Sequence, residues 1–465
     1  MNQAAAHDPP RKITLDEWTR RYSALAGAHL REPWYGGPLE RHVRDGDLRL
    51  RSLLFDNAPA SLRLWNFLLT EEERLARARV EGRTLVGTMK DLGTIPIMAY
   101  SSPCLVAFYP DGAWWIPCVM ELSAGLLGVA DSLGIDDSFC PVRAMLGAFV
   151  TEAHFPIPDL LICSVGATCD DFSAIAQRLG SLGHTIHWWE APARRTPDRG
   201  EEGVRLPGGF EAPRQQVDFV RSELERLRDL LEERSGERLD DEALALGISA
   251  ANDVRRVLDE LRRLAYTADP CPLPALEMLI AEMLAIHFCS DRDEALQVLA
   301  ELLFEVRARV ARGVGVLSDD AVRIFWVNPV ADLRAMNLLE SCGGRLCGTE
   351  LLFCHALDEI PQDVPPLEAL ARTALADPMV GPAMERAERI VRDMQRFGAE
   401  ALLISRIPGA SHCATEGEII KDLVHQQLDL PIVELEVPPL CDAVEATLRT
   451  RIEALIETTL ERRTR

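Results

Sequence analysis

Twelve cysteines are the residues of this chain with the most chemistry to offer. A free thiol in a folded core is usually a small apolar side chain, and most of the twelve read that way. No CxxC is present, and the nearest pairs, Cys163/Cys169 and Cys342/Cys347, match neither a zinc ribbon nor a ferredoxin run. Any metal centre must therefore draw its thiolates from separate loops. Three cysteines sit where such loops are expected. Cys169 follows the apolar run DLLICS and precedes a helical stretch, Cys413 follows ALLIS in the same way, and Cys140 lies in FCPVRAMLG, a turn leading into a helix. Ligands of open α/β sheets collect beyond the carboxyl ends of strands, and a helix N-terminus favours thiolate.

The elements that must position these residues follow from the hydrophobic pattern. Residues 1–83 read as a polar, Arg-rich N-terminal helical cap, with helical spacing in SLRLWNFLLTEEERLARARVEG. Residues 84–215 form a first β/α region. Short apolar runs (TLVGTM, TIPIMAY, CLVAFY, DLLICSVGA, HTIHWW) are bounded by Gly and Pro, as buried parallel strands require, with the helical stretch DDFSAIAQRLGSLG between the last two. Residues 216–315 carry a 3.6-residue period over about four helices. Residues 316–465 return to β/α texture, with VRIFWVN, GGRLCGTEL, AEALLIS and PIVELEV as strands and a long C-terminal helix. The expected fold is α/β: two Rossmann-like, flavodoxin-like lobes with parallel sheets, joined by a helical segment.

Composition narrows the function. The chain has 465 residues, too many for one core, and carries a formal net charge of −23. Such an acidic surface disfavours nucleic acid. No apolar run is long enough to span a bilayer and MNQAAAHDPPRK has no signal-type apolar core, so the expectation is a cytoplasmic protein without membrane contact. A reducing compartment also disfavours disulfides. Neither a P-loop nor a GxGxxG after a strand appears, so ATP and NAD binding by those devices is unsupported.

Cys140-Pro141-Val142-Arg143 with Leu146-Gly147 resembles the first cluster-cysteine segment of the 2-hydroxyacyl-CoA dehydratase / benzoyl-CoA reductase family. Thr168-Cys169-Asp170-Asp171 is similar to the second, and Ser411-His412-Cys413, followed by EGEIIKDLVHQQ and LPIVELEV, to the third. The helical middle ERLDDEALALGISAANDVRRVLDELRRLAY, the segment EALARTALADPMVGPAMERAERIV and the close TLRTRIEALIE resemble the family as well. The likeness is collinear from about residue 84 to 460.

The resemblance implies a 4Fe-4S cluster held by Cys140, Cys169 and Cys413 in the iron–sulfur subunit of an ATP-coupled enzyme that reduces an acyl-CoA substrate. A homologous partner subunit in a heterodimer and an ATP-dependent iron–sulfur activator come with it. Three thiolates leave one iron open, and an open position lets a metal act as a Lewis acid. Arg143 and His412 adjoin two of the ligands and are candidates for tuning the cluster from outside its ligand set. The chain lacks the Pro-Glu-Glu that many dehydratases carry, having VGTMKDLGTIPIMAY instead, and Cys104 and Cys118 flank the aromatic stretch FYPDGAWWIPC as candidate replacement ligands. Cys163, Cys342, Cys347 and Cys354 leave room for a larger or second cluster, with core packing the plainer role. Trp114, Trp115, Trp188 and Trp189 could line an aromatic pocket or simply pack. Dehydration and ring reduction are not separated by the residues. The alternatives are an electron-transfer or cluster-carrying protein without acyl-CoA turnover, and a non-catalytic partner subunit.

Overall fold

The computed structural model of the protein describes residues 8–24, 53–90, 93–112, 123–152, 154–285, 290–352, 357–410, 416–439 and 442–464. The N-terminal region pairs two short antiparallel strands, β1 (Lys12–Thr14) and β2 (Leu54–Asp56), and adds helices α1 (Leu15–Ala24), α2 (Pro59–Leu69) and α3 (Glu71–Val80). The first β/α region contains β3 (Thr84–Met89), α4 (Ile95–Ala99), β4 (Leu105–Phe108), α5 (Ser123–Ser132), α6 (Ala144–Thr151), β5 (Leu160–Gly166), α7 (Asp170–Ser181) and β6 (Ile186–Ala191). The antiparallel pair β7 (Gly203–Arg205) and β8 (Glu211–Pro213) follows. Four helices come next: α8 (Arg214–Ser235), α9 (Asp241–Thr267), α10 (Ala275–Met283) and α11 (Arg292–Arg312). The second β/α region consists of β9 (Val322–Val327), α12 (Arg334–Ser341), β10 (Gly344–Glu350), α13 (Pro366–Leu375), α14 (Ala383–Phe397), β11 (Ala401–Arg406), α15 (Gly417–Leu428), β12 (Ile432–Glu436) and α16 (Glu445–Arg463).

Each β/α region forms a four-stranded parallel sheet, in the orders β4-β3-β5-β6 and β10-β9-β11-β12. Numbered within each lobe, both orders read 2-1-3-4, the flavodoxin-like winding. Both sheets therefore reverse direction between their first and third strands, where open α/β sheets bind ligands. The equivalence extends to single residues. Lys90 directly follows β3 with φ 42°, and Asn328 directly follows β9 with φ 70°. In each case a strand serine, Ser164 or Ser405, donates its hydroxyl to that residue's carbonyl. The two-lobe α/β fold expected from the pattern is the fold observed.

Side chains alternate across the first sheet with the period of two that a strand imposes. Leu85, Met89, Val106, Phe108 and Leu161 enter the large core, while Val86, Leu105, Ala107, Leu160 and Ile162 enter a second core beneath α8, α9 and α13. Burial on both faces explains the unbroken apolar runs. TIPIMAY departs from its strand reading. Ile95–Ala99 is a short, wholly buried helix with proline in its first turn, a position that presets helical φ. A buried apolar run of that length does not distinguish helix from strand.

Candidate functional site

Cys169 is the residue before α7, placed there by β5 and its crossover turn. Its side chain is buried, and its Sγ lies 3.6 Å from Asp171 Oδ2. Burial, then the Asp171 charge, pushes the Cys169 thiol up to about 12, against the opposing pull of nearby backbone N–H groups and Lys90. Cys140 precedes the helical turn Pro141–Arg143 that opens α6, and it is half-buried. Its backbone N–H donates to Asp171 Oδ1 at 3.4 Å. One carboxylate therefore spans both cysteine segments and holds them together at the carboxyl end of the first sheet.

The second lobe closes on the same place. Gly409, three residues past β11, has φ +81°, and a Cβ added there would lie 2.4 Å from the carbonyl oxygen of Phe139. The backbone of the second lobe thus rests directly on the residue preceding Cys140, at a distance only glycine allows. Arg143 secures the other side of the same turn. Its Nη1 donates to the Phe139 carbonyl at 3.1 Å and its Nε to Asp131 at 3.3 Å.

A buried ion network ties down the carboxyl edge of the second sheet. Arg386 donates to Glu350 at the end of β10, to the Asn328 side chain at 2.6 Å, and through Nη1 to Glu416 at 2.5 Å. Burial opposes its charge, but Glu350 and Glu416 outweigh burial and raise its pKa. Gly409 and Glu416 are thus anchored on either side of Cys413.

Of the residues singled out in the sequence, the structure brings Cys140 and Cys169 together and places Arg143 behind the Cys140 turn. Cys413 and His412 lie outside the described residues, as do Cys118, Cys354, Trp114 and Trp115. Among the described residues there is no group of three His, Cys, Asp or Glu side chains that could hold a metal ion. Cys104 does not join the pair. It precedes β4, at the amino end of the sheet, where Glu237 and burial raise its pKa. Cys163 and Cys347 are wholly buried within strands, burial raises both thiols, and they pack as core residues. Cys342 stands beside Arg449, away from the pair. Trp189 is buried against the helices and Trp188 is partly buried beside it on β6.

Pattern reading missed Asp171 and Gly409. Asp171 could have been found as an acid in the first turn of the helix after Cys169, and Gly409 as the Pro-Gly turn ahead of Cys413. No described helix is long and apolar enough to cross a membrane. No curated protein matches the chain. The family model for the 2-hydroxyglutaryl-CoA dehydratase D-component matches residues 109–459, more than half of the sequence and the stretch that contains both lobes' cysteine loops. The chain therefore belongs to the 2-hydroxyglutaryl-CoA dehydratase D-component family.

Proposed function

We propose that this chain is a cluster-carrying, electron-transferring component of a dehydratase-type system, with a 4Fe-4S cluster on Cys140, Cys169 and Cys413. The observation that carries the reading is the convergence at Asp171 and Gly409: two cysteine loops of one lobe share a carboxylate, and the other lobe's loop rests on Phe139 beside them. Cys413 follows Gly409 in the chain with three residues between them. The buried thiol of Cys169 suits the group as well. A thiol held neutral by burial ionises on binding iron, whose positive charge replaces the missing counter-charge.

When bound, the cluster supplies one-electron chemistry at low potential. The protein's own residues supply the rest. Asp171 sets the spacing of two ligands, Arg143 fixes the Phe139–Cys140 turn, and Arg386 holds Glu416, which follows the third cysteine in the chain. Burial of Cys169 keeps water from that side of the site. A homologous partner subunit and an ATP-dependent activator accompany the component in this reading, as the family resemblance implies.

A second reading, direct reduction of an acyl-CoA thioester at the cluster, is favoured by a ligand set of three rather than four cysteines, which leaves one iron accessible. Anaerobic protein is reduced with a low-potential donor and followed by electron paramagnetic resonance, then offered a 2-hydroxyacyl-CoA and benzoyl-CoA with the activator and ATP. Reversible one-electron reduction without turnover supports the carrier reading. Turnover of either thioester supports the second. Absence of any reducible centre in folded anaerobic protein contradicts both.

A further inference from the structure

Arg255 lies on α9 with 2% of its surface exposed. Every other buried arginine among the described residues reaches a carboxylate. Arg255 does not. Its Nη1 donates to the Ala251 carbonyl one turn earlier at 3.2 Å, while its Nε and Nη2 have no hydrogen-bond partner. The nearby acids are engaged elsewhere: Asp358 uses both carboxylate oxygens on Arg389, and Glu359 pairs with Arg256. Burial lowers the pKa of Arg255 to about 10, which leaves it cationic at neutral pH. An uncompensated buried guanidinium is costly, because desolvation penalises charge and each unmet donor adds to it.

The residue lines a cavity of about 20 Å³, and among the described residues no acidic side chain lines it. Tyr100 and Tyr109 of the first lobe form one wall, close enough to Arg255 to act on its charge. Leu284 and Ala295 of the helical region form another. Arg292 brings a second guanidinium. It stacks over Tyr100 with its guanidinium carbon 5.3 Å from the ring centroid and donates through Nη1 to the Tyr100 carbonyl at 3.3 Å. Its Nε is buried without a hydrogen-bond partner, and its ion pair with Asp293, at 3.5 Å, is with an exposed side chain. Two cations and no anion therefore face a space the size of one or two waters.

Size and charge together select the occupant. Water fits and accepts hydrogen bonds, but it leaves the positive charge of Arg255 uncompensated. Carboxylates and phosphates carry the charge but exceed the space. A monatomic anion meets both conditions. The Nε–H and Nη2–H of a guanidinium lie in one plane along one edge, so a single ion seated against that edge accepts from both.

We propose that this cavity is a halide site, in which one chloride ion sits against Nε and Nη2 of Arg255 with Arg292 as its second cation. The ion supplies the counter-charge that the chain withholds, and it joins α9 to the first lobe. Chloride concentration then sets how firmly the first lobe is docked on the helical region.

Urea unfolding of the full-length, anaerobically prepared chain tests this, with sodium chloride exchanged for sodium gluconate at constant ionic strength. Gluconate is too large for the cavity. Once chloride exceeds its dissociation constant, each tenfold rise is expected to multiply the folded-to-unfolded ratio about tenfold, as one bound ion requires. Arg255→Met is expected to lose that dependence. Arg255→Lys, which keeps charge but not the two-donor edge, is expected to need about tenfold more chloride for the same gain. Crystals of wild-type protein grown in bromide give a readout that needs no variant: an anomalous peak in contact with Nε and Nη2 is expected. Wild-type stability that is the same in chloride and gluconate assigns the space to water and overturns the proposal. So does an equal chloride dependence in Arg255→Met, which marks a general salt effect. Bromide crystals without a peak at Arg255 overturn it even where Arg255→Met fails to fold.

Discussion

Gly409→Ala probes the seam on which the two lobes meet. Its cost has two separable parts. At φ +81° an L side chain pays about 1–2 kcal/mol for the left-handed backbone. The new methyl would also lie 2.4 Å from the Phe139 carbonyl oxygen and 2.9 Å from that of Asp137. Both are backbone atoms that no rotamer change can move, so relief requires the loops to separate, at a further ~1–3 kcal/mol by analogy with overpacked cores. The total is about 2–5 kcal/mol. Gly236→Ala is the matched control. Gly236 caps α8 at φ +72° with nothing within 4 Å of an added Cβ, so it pays the backbone part alone. Urea unfolding and iron content of anaerobic protein are measured for both. Gly409→Ala is expected to be the less stable variant and to lose iron, because the Cys140 turn and the loop bearing Cys413 are forced apart, while Gly236→Ala keeps its iron. Equal stability losses with full iron in both would refute the claim that this contact assembles the site.

Other perturbations have defined outcomes. Arg386→Met should cost roughly 3–5 kcal/mol in urea unfolding, since it strands Glu350 and Glu416 without their buried counter-charge. Cys163→Ala and Cys347→Ala should retain iron, because both thiols are buried core groups, and colorimetric iron determination checks this. The Glu277 carboxyl is pushed up to about 8, first by burial and then by Asp56. Its native pKa lies above its unfolded one, so the native state holds a proton the unfolded chain releases. Stability is thus reduced as pH rises from the usual value of 4.5 to about 8, by up to roughly 1.4 kcal/mol per pH unit. Glu277→Gln should remove that slope, as read from urea midpoints across the window.

The sheets were legible in the sequence because their strands are buried on both faces. TLVGTM and VRIFWVN become β3 and β9 with little change of boundary. The helical middle was legible through its period. TIPIMAY misleads for the same reason that the strands succeed: a wholly buried run carries no polar face to reveal its period. Placement ahead of helices, and for Cys169 after a strand, marked Cys140 and Cys169 as candidates, but not that they share one carboxylate, since a 29-residue separation carries no local signal and the bond from the Cys140 backbone to Asp171 is tertiary. Cys104 shows the complementary failure. Closeness to the aromatic stretch in sequence says nothing about which end of a parallel sheet a residue occupies, and β4 carries it to the far end. Arg255 has no sequence signature at all. It is one of several arginines on an amphipathic helix, and only burial without a counter-charge distinguishes it.

Iron and acid-labile sulfide per chain tests the central claim most directly, on anaerobically purified wild type and on the Cys140→Ala, Cys169→Ala and Cys413→Ala variants. The account predicts about four irons and four sulfides in wild type and their loss in each variant. Folded wild-type protein without iron, or variants that keep the full complement, would contradict it.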